Sequence, residues 1–344
     1  MSRMMDEIRE QPQALRRTFE AERAHAVEFK KFASRRDFRL IVLVARGTSD
    51  NAALFGRYLL EITTGIPVSL CAPSVHTLYG ARLNLRHALV IGISQSGEGT
   101  DINSVLKSAR RQGAFTVAVT NEAKSAMTRV VDESFLVRAG KQKSVAATKT
   151  YTGQLLVLYL LASALGSHIE LDSVSEIPDH VRETLGLARE IRERVERYRY
   201  MRQCAVVARG INYANAFELS LKLMETCYIV AERFSSADFL HGPIAMIERD
   251  FPVILFAPPG KTLAGQQSLI KRLKKLNAET LAISSSETRL PGVTRVIRVP
   301  GEMGEIYTPI PYIVPGQLFA AQLAEVKGID PDRPRSLQIV TQTF

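Results

Sequence analysis

A chain of 344 residues, 46% hydrophobic and 23% charged, can fill about two cores and is too apolar to be disordered. Its net charge of +10 suits anionic ligands, but the basic residues are dispersed in pairs such as Arg16-Arg17, Lys30-Lys31 and Lys274-Lys275, so no nucleic acid is expected as a partner. Cys71, Cys204 and Cys227 are too far apart for a disulfide framework, the histidines outside the His241 loop form no spaced group, Met1 to Gln11 is no signal peptide, and Leu155 to Leu165 is too short to span a bilayer. A soluble, cytoplasmic protein is expected, without metal, cofactor or membrane association.

In chain order, residues 2–35 read as helix, with Pro12 marking a new first turn. Leu40 to Ala45 is an apolar, branched run, the pattern of a buried strand. Arg46 to Asp50 forms its turn, and Asn51 to Ile62 a helix. Val68 to Leu70 is a second short strand, and Leu78 to Leu83 a short helix or loop. Leu89 to Ile93 is again a buried strand. It breaks off in Ser94-Gln-Ser-Gly97, after which Ile102, Val105, Leu106 and Ala109 follow at helical spacing. Phe115 to Val119 reads as the next strand and Ser134 to Val137 as an edge strand. Ser144 to Lys149 precedes a long apolar helix reaching about Leu165, and the charged helical stretch Ile177 to Tyr200 joins two halves.

The pattern then restarts. Cys204-Ala-Val-Val-Ala-Arg-Gly210 echoes Ile41-Val-Leu-Val-Ala-Arg-Gly47 at an offset of 163. Pro252 to Gly260 takes the place of the Leu89 strand and its loop, and Leu281 to Ser284 that of Thr116 to Val119. Two tandem copies of one βαβ unit are the simplest reading, and they predict parallel sheets with helices on both faces.

A strand that ends in hydroxyls and glycine before a helix aims small donors at the positive end of the helix dipole. Phosphate fits there. Without a Gly-Lys-Ser/Thr sequence this is no P-loop, and a sugar phosphate suits it better than a nucleotide triphosphate. Thr48 and Ser49 lie at the same edge, whether as helix caps, phosphate donors or both. In the second copy Ala257-Pro-Pro-Gly260 has prolines where donors should be, so one phosphate site per chain is expected. That copy instead carries Glu218, Lys222 and Glu225 at spacings of four and three, on one helix face. They form either a solvated face with an ordinary Glu–Lys pair or a catalytic group. His241-Gly-Pro243 adds a loop histidine. A carboxylate and a histidine with a phosphate site are the parts for proton transfer beside a sugar carbonyl.

Gly47-Thr-Ser49, Ser94-Gln-Ser-Gly97, Ala146-Ala-Thr-Lys149, Glu218 with Lys222 and Glu225, His241-Gly-Pro243 and Asp330-Pro-Asp-Arg-Pro-Arg335 occur in an order that resembles the sugar isomerase (SIS) domain proteins. More closely, the chain is similar to the isomerase half of glutamine–fructose-6-phosphate aminotransferases and to the related glucosamine-6-phosphate deaminases. The opening Met5 to Pro12 matches too. The resemblance implies two SIS domains, each a parallel sheet flanked by helices on both faces, in an α/β three-layer fold. It implies an N-terminal helical segment (1–35), a first domain with the phosphate loop (36–170), a helical linker (171–200), a second domain with the catalytic helix (201–325) and a tail (326–344).

It further implies that Thr48, Ser49, Ser94, Gln95, Ser96 and Thr100 hold the phosphate or neighbouring hydroxyls, with Val145 and Ala147 also lining the substrate site. Glu225 would be the base between C1 and C2. His241 would assist ring opening from a partner subunit, which implies a homodimer, and Glu218 and Lys222 would orient the site. Three positions depart from the pattern. Gly99 stands where the aminotransferases have a phosphate-binding Thr, Ala147 replaces a sugar-contacting Ser, and Ile339 replaces a tail Lys that can form an imine with the ketose. The sequence carries no amidotransferase half, so glutamine is not expected to supply nitrogen within it. The expected reaction is isomerising deamination of glucosamine 6-phosphate to fructose 6-phosphate and ammonia. The alternatives are a fructosamine-6-phosphate deglycase, an aldose–ketose phosphosugar isomerase, or a non-catalytic phosphosugar-binding regulator.

Overall fold

The computed structural model describes residues 2–166 and 168–337. Ile339 lies outside them. The chain forms two compact units, one comprising Gln11–Gln142 and Lys149–Glu176, the other the residues up to Glu10, Lys143–Thr148 and Ile177–Leu337.

In chain order the elements are α1 (Arg3–Arg9), α2 (Gln11–Ala33), β1 (Leu40–Val44), α3 (Thr48–Thr64), β2 (Val68–Leu70), α4 (Pro73–Thr77), β3 (Ala88–Ser94), α5 (Thr100–Arg111), β4 (Phe115–Thr120), β5 (Glu133–Leu136) and α6 (Lys149–Ala164). The second half continues with α7 (Leu171–Leu185), α8 (Ala188–Val195), β6 (Gln203–Ala208), α9 (Tyr213–Cys227), β7 (Val230–Ser235), α10 (Ser236–Leu240), β8 (Pro252–Phe256), α11 (Leu263–Lys275), β9 (Glu279–Ser285), β10 (Arg295–Val299) and α12 (Pro309–Val326).

The first sheet has the order β2-β1-β3-β4-β5 and the second β10-β9-β8-β6-β7, every pairing parallel. Replacing each strand of the first sheet by its counterpart five places on gives the second order read backwards. The duplication expected from the 163-residue offset is therefore present in the topology itself.

The central strands form because their runs are apolar on both faces: β3, β8 and β9 are buried at every position. On the first sheet the apolar stripe Ile102, Val105, Leu106 and Ala109 of α5 packs on Val42, Val90 and Ala118. Leu269, Ile270 and Leu273 of α11 do the same over Val253 and Leu255 in the second. Helix α6, buried along its whole length, packs against α2 and α3, and α12, buried through Ala324, packs against α8 and α9. A helix apolar on all sides needs such cover on all sides.

Of the two alternatives for Leu78 to Leu83 the loop is found, with a short helix just before it at Pro73–Thr77; one local reading differs from the sequence expectation. The sequence pattern predicts no strand at β7, because Val230-Ala-Glu-Arg-Phe-Ser carries two charges. It is the edge strand beside β6, where charged side chains face solvent.

In the first-sheet unit, His25 stacks on Phe135 at 4.2 Å, with Nδ1 3.3 Å from Glu22 and Nε2 3.2 Å from Glu133. Glu22 also accepts from Arg138 Nε at 2.6 Å. The hydrogen bond to Glu22, aided by the charge of Glu133, raises the His25 pKa above its usual 6.5 despite partial burial. Burial alone would raise the Glu22 pKa, but its bonds to His25 and Arg138 hold it below the ordinary carboxylate value. A raised histidine pKa means that the folded state binds the proton more tightly. Its contribution is therefore complete below pH 6.5 and disappears as pH rises through the folded value. The stability of the wild type relative to a His25→Gln variant, from urea titrations, is expected to be greater at about pH 5.5 than at about pH 8.5. A difference independent of pH would contradict this.

Candidate active site

The first candidate region lies where β1 and β3 end side by side, Val44 in register with Gly92. Both strands deliver polar side chains to this edge: the hydroxyls of Thr48 and Ser49 at the start of α3, and the hydroxyls of Ser94 and Ser96 with the amide of Gln95 between them before α5. The turn depends on Gly97, which has φ +64°, and a Cβ there would lie 2.3 Å from Ser125 Oγ. Its carbonyl accepts from Met127 N and Asn103 Nδ2, and the Gln95 carbonyl accepts from Asn121 N. The loop is thereby pinned through its carbonyls.

The hydroxyls are arranged alike. Ser94 Oγ accepts from Gly97 N at 3.1 Å, Ser96 Oγ from Glu98 N at 3.3 Å, and Ser49 Oγ from Gln154 Nε2 at 2.9 Å. A hydroxyl that accepts in this way keeps its own proton to donate, which is what an anion requires. Arg46 Nε bonds Asp101 Oδ2 at 2.8 Å, tying the β1 turn to the first turn of α5, and Asp101 is almost wholly buried. Thr100, the first residue of α5, is exposed. A cleft of about 350 Å³ lies against this loop, lined by Gln95, Ser96, Glu98, Lys124 and Lys141 among others.

The second region is α9. Its start is fixed by buried amides: Asn212 Nδ2 donates to Thr308 Oγ1, and Asn215 Nδ2 donates to Asn212 Oδ1 and to the Pro309 carbonyl. One turn and more beyond, Lys222 Nζ stands 2.7 Å from Glu225 Oε2 and 3.5 Å from Glu218 Oε1. The Glu218 and Lys222 side chains are 0% exposed, whereas Glu225 is 20% exposed. The spacing had left open a solvated face, but two of the three charges are fully enclosed. Burial would lower the Lys222 pKa, but the two carboxylates outweigh it and hold the ammonium above its ordinary value. The result is one buried ammonium between two carboxylates, one sealed and one reaching the surface.

His241 follows the last turn of α10, its N–H on the Asp238 carbonyl, and its side chain is exposed. Val145 and Ala147, both half-buried, lie in the segment Lys143–Thr148, which groups with the second-sheet unit and is held there by Lys143 N donating to Glu7 Oε1 at 2.6 Å. The expected residues are thus divided between the two units: Thr48, Ser49, Ser94, Gln95, Ser96 and Thr100 lie on the first-sheet unit, and Val145, Ala147, Glu218, Lys222, Glu225 and His241 on the second. Sequence reasoning missed Gln154, the partner of Ser49, although a glutamine inside an otherwise apolar helix was a usable signal. It also missed the Arg46–Asp101 pair, which nothing in the spacing marks. Among the described residues no group of His, Cys, Asp and Glu could hold a metal ion, and no helix is long and apolar enough to cross a membrane.

The sequence profile of the SIS domain matches residues 36–164 and 199–320. The chain belongs to the SIS domain family. The two matched segments each contain one of the five-stranded sheets. Among curated proteins it is 37% identical over 342 residues to the isomerizing glutamine–fructose-6-phosphate aminotransferase of Pyrococcus horikoshii, covering 97% of this chain and 56% of that protein, so the chain spans little more than half the length of that relative. Among solved structures it matches the C-terminal domain of the glucosamine-fructose-6-phosphate aminotransferase of Francisella tularensis with a TM-score of 0.88 and 26% identity, over 97% of this chain and 98% of that one. The glucosamine-6-phosphate deaminase of Thermotoga maritima shares the fold, with a TM-score of 0.81 and 21% identity over 99% and 100% of the two chains.

The enclosed ion group of the second SIS domain makes a stability prediction that needs no substrate. Lys222→Met removes the cation and leaves Glu218 buried without it, which is expected to cost about 3–5 kcal/mol of unfolding free energy in urea titrations. A Glu218→Gln/Lys222→Met double variant should regain part of that loss, because the stranded charge is gone. Additive losses would show that the two side chains do not depend on each other.

Proposed function

We propose that this SIS-domain chain moves a proton between C1 and C2 of a 6-phosphorylated amino sugar, and that its net reaction is glucosamine 6-phosphate plus water to fructose 6-phosphate plus ammonia. The observation that carries the reading is the Glu225 carboxylate, partly open to solvent and held at 2.7 Å by a fully buried ammonium. Transfer between adjacent carbons needs one base that reaches both and stays fixed meanwhile. Lys222 supplies the fixation, and Glu218 the second negative charge that keeps the ammonium charged in a dry setting.

In this reading Thr48, Ser49, Ser94, Gln95, Ser96 and Thr100 hold the phosphate, and Val145 and Ala147 line the sugar. His241 assists ring opening. Glu225 then takes the C2 proton from the open aldehyde form, giving an enolamine, and returns a proton to C1. The product is a ketimine at C2, which water hydrolyses to ketose and ammonia. The substrate brings its own nitrogen, so no protein imine is required and isoleucine at position 339 is no obstacle. The likeness to the isomerizing aminotransferase of Pyrococcus horikoshii supports the C1–C2 chemistry, and the hydrolytic outcome is our reading of the departure at 339.

Glu225→Gln keeps the shape and removes the base. Turnover of glucosamine 6-phosphate should fall by about 10²–10⁴-fold with KM much less affected, and wild-type product formed in deuterated water should carry label at C1. Near-normal turnover in the variant would eliminate Glu225 as the base. If exposed His241 acts in a partner's site, a homodimer is the smallest active unit. Mixing inactive His241→Ala and Glu225→Gln chains should then restore about a quarter of wild-type activity per total chain, because random pairing makes half of the dimers mixed, each with one intact site. Mixtures as inactive as either parent would place His241 in its own chain's site or in none.

A further inference from the structure

The β3–α5 loop of the first sheet has a counterpart at the same topological position, the loop Ala257–Thr262 between β8 and α11. Its prolines suggested that the donors had been lost. They are present, two residues further on. Lys261 N donates to Glu305 Oε2 at 2.6 Å, Thr262 N donates to Glu305 Oε1 at 3.2 Å, and Thr262 Oγ1 donates to the same oxygen. A carboxylate therefore sits at the head of the 13-residue helix α11, taking two backbone N–H groups and a hydroxyl. It is packed tightly: a Cβ on Gly260 would lie 2.3 Å from Glu305 Oε2, so that position admits only glycine while Glu305 is in place. Glu305 arrives from elsewhere in the chain, 43 and 44 residues beyond its partners, at the start of a short 3-10 turn ahead of α12.

We infer that the second SIS domain retains a complete anion site and that Glu305 of the same chain is its occupant, a resident carboxylate standing where a phosphate would otherwise bind. A planar carboxylate and two oxygens of a tetrahedral phosphate present similar acceptors to the same donors. A cleft of about 610 Å³ lies beside the same loop and helix start, lined by Pro259 and Leu263 together with Glu287, Arg289 and Glu302 among others. The inference does not rest on the proposed reaction, since it concerns only how many anions one chain can hold.

The test counts bound inorganic phosphate by equilibrium dialysis on the full chain as wild type, Glu305→Ala and Glu305→Gln. Glu305→Ala should bind one phosphate per chain more than wild type. Glu305→Gln, which still fills the space, should bind no more than wild type. Glu305→Ala should also melt roughly 3–10 °C lower, and sulfate or phosphate, but not sodium chloride at equal ionic strength, should restore most of that loss. If Glu305→Ala does not fold in chloride buffer, refolding yield in sulfate replaces the melting readout, and a yield no better than in chloride overturns the inference. An unchanged phosphate count in a folded Glu305→Ala chain overturns it as well.

Discussion

A parallel strand that runs straight into a helix leaves unpaired N–H groups at the sheet's carboxyl edge, and some acceptor must meet them. Both halves of this chain are built on that constraint, and they meet it differently. In the first half the groups are surrounded by serine hydroxyls that already accept one hydrogen bond each, and the loop is tied through its carbonyls, leaving donors toward a cleft. In the second half a glutamate from a distant turn closes the edge. The buried charges of the second half lie on a different element, the helix after its first strand.

That helix carries its charges at a cost. Taking an ammonium and a carboxylate out of water is unfavourable unless the geometry between them is good and further partners complete it. Here the lysine has a carboxylate on either side, and only one of the two reaches the surface. A surface Glu–Lys pair would save the desolvation, but its side chains would be mobile and screened. The buried arrangement gives up stability and gains a carboxylate whose position is fixed.

Much of this was legible in the sequence, and the residues show where legibility stops. Leu40 to Val44 and Leu89 to Ile93 announced central strands because both faces of a parallel sheet are dry, so the whole run is apolar. The duplication was legible because Ala45-Arg46-Gly47 and Ala208-Arg209-Gly210 occupy equivalent places. The common face of Glu218, Lys222 and Glu225 followed from helical spacing. Their burial did not, since it depends on which elements pack on α9, among them α12, more than eighty residues further along. Strand β7 was hidden for the opposite reason, because an edge strand tolerates charges that a central one excludes. Glu305 gave no signal, because a single glutamate between Gly304 and Ile306 looks like any surface residue until the loop that it fills is brought to it.

The interleaving of the two units bears on the order in which the protein can be assembled. Helix α1 packs on α12, and its first amides are taken by Asp332, with Arg3 N on Oδ2 at 2.6 Å and Met4 N on Oδ1 at 3.0 Å. Those partners are 329 and 328 residues apart. At about 5–20 residues per second, a nascent α1 leaves the ribosome roughly 15–65 s before the residues that receive it. During that interval Met4, Met5 and Ile8, buried in the finished protein, have no docking surface. The second-sheet unit thus cannot close until its own earliest segment is recovered, whereas the segment from Gln11 to Gln142 can settle meanwhile. Because α1 precedes the first-sheet unit in the chain, closing the second-sheet unit means reaching back past that unit's residues for a segment already made.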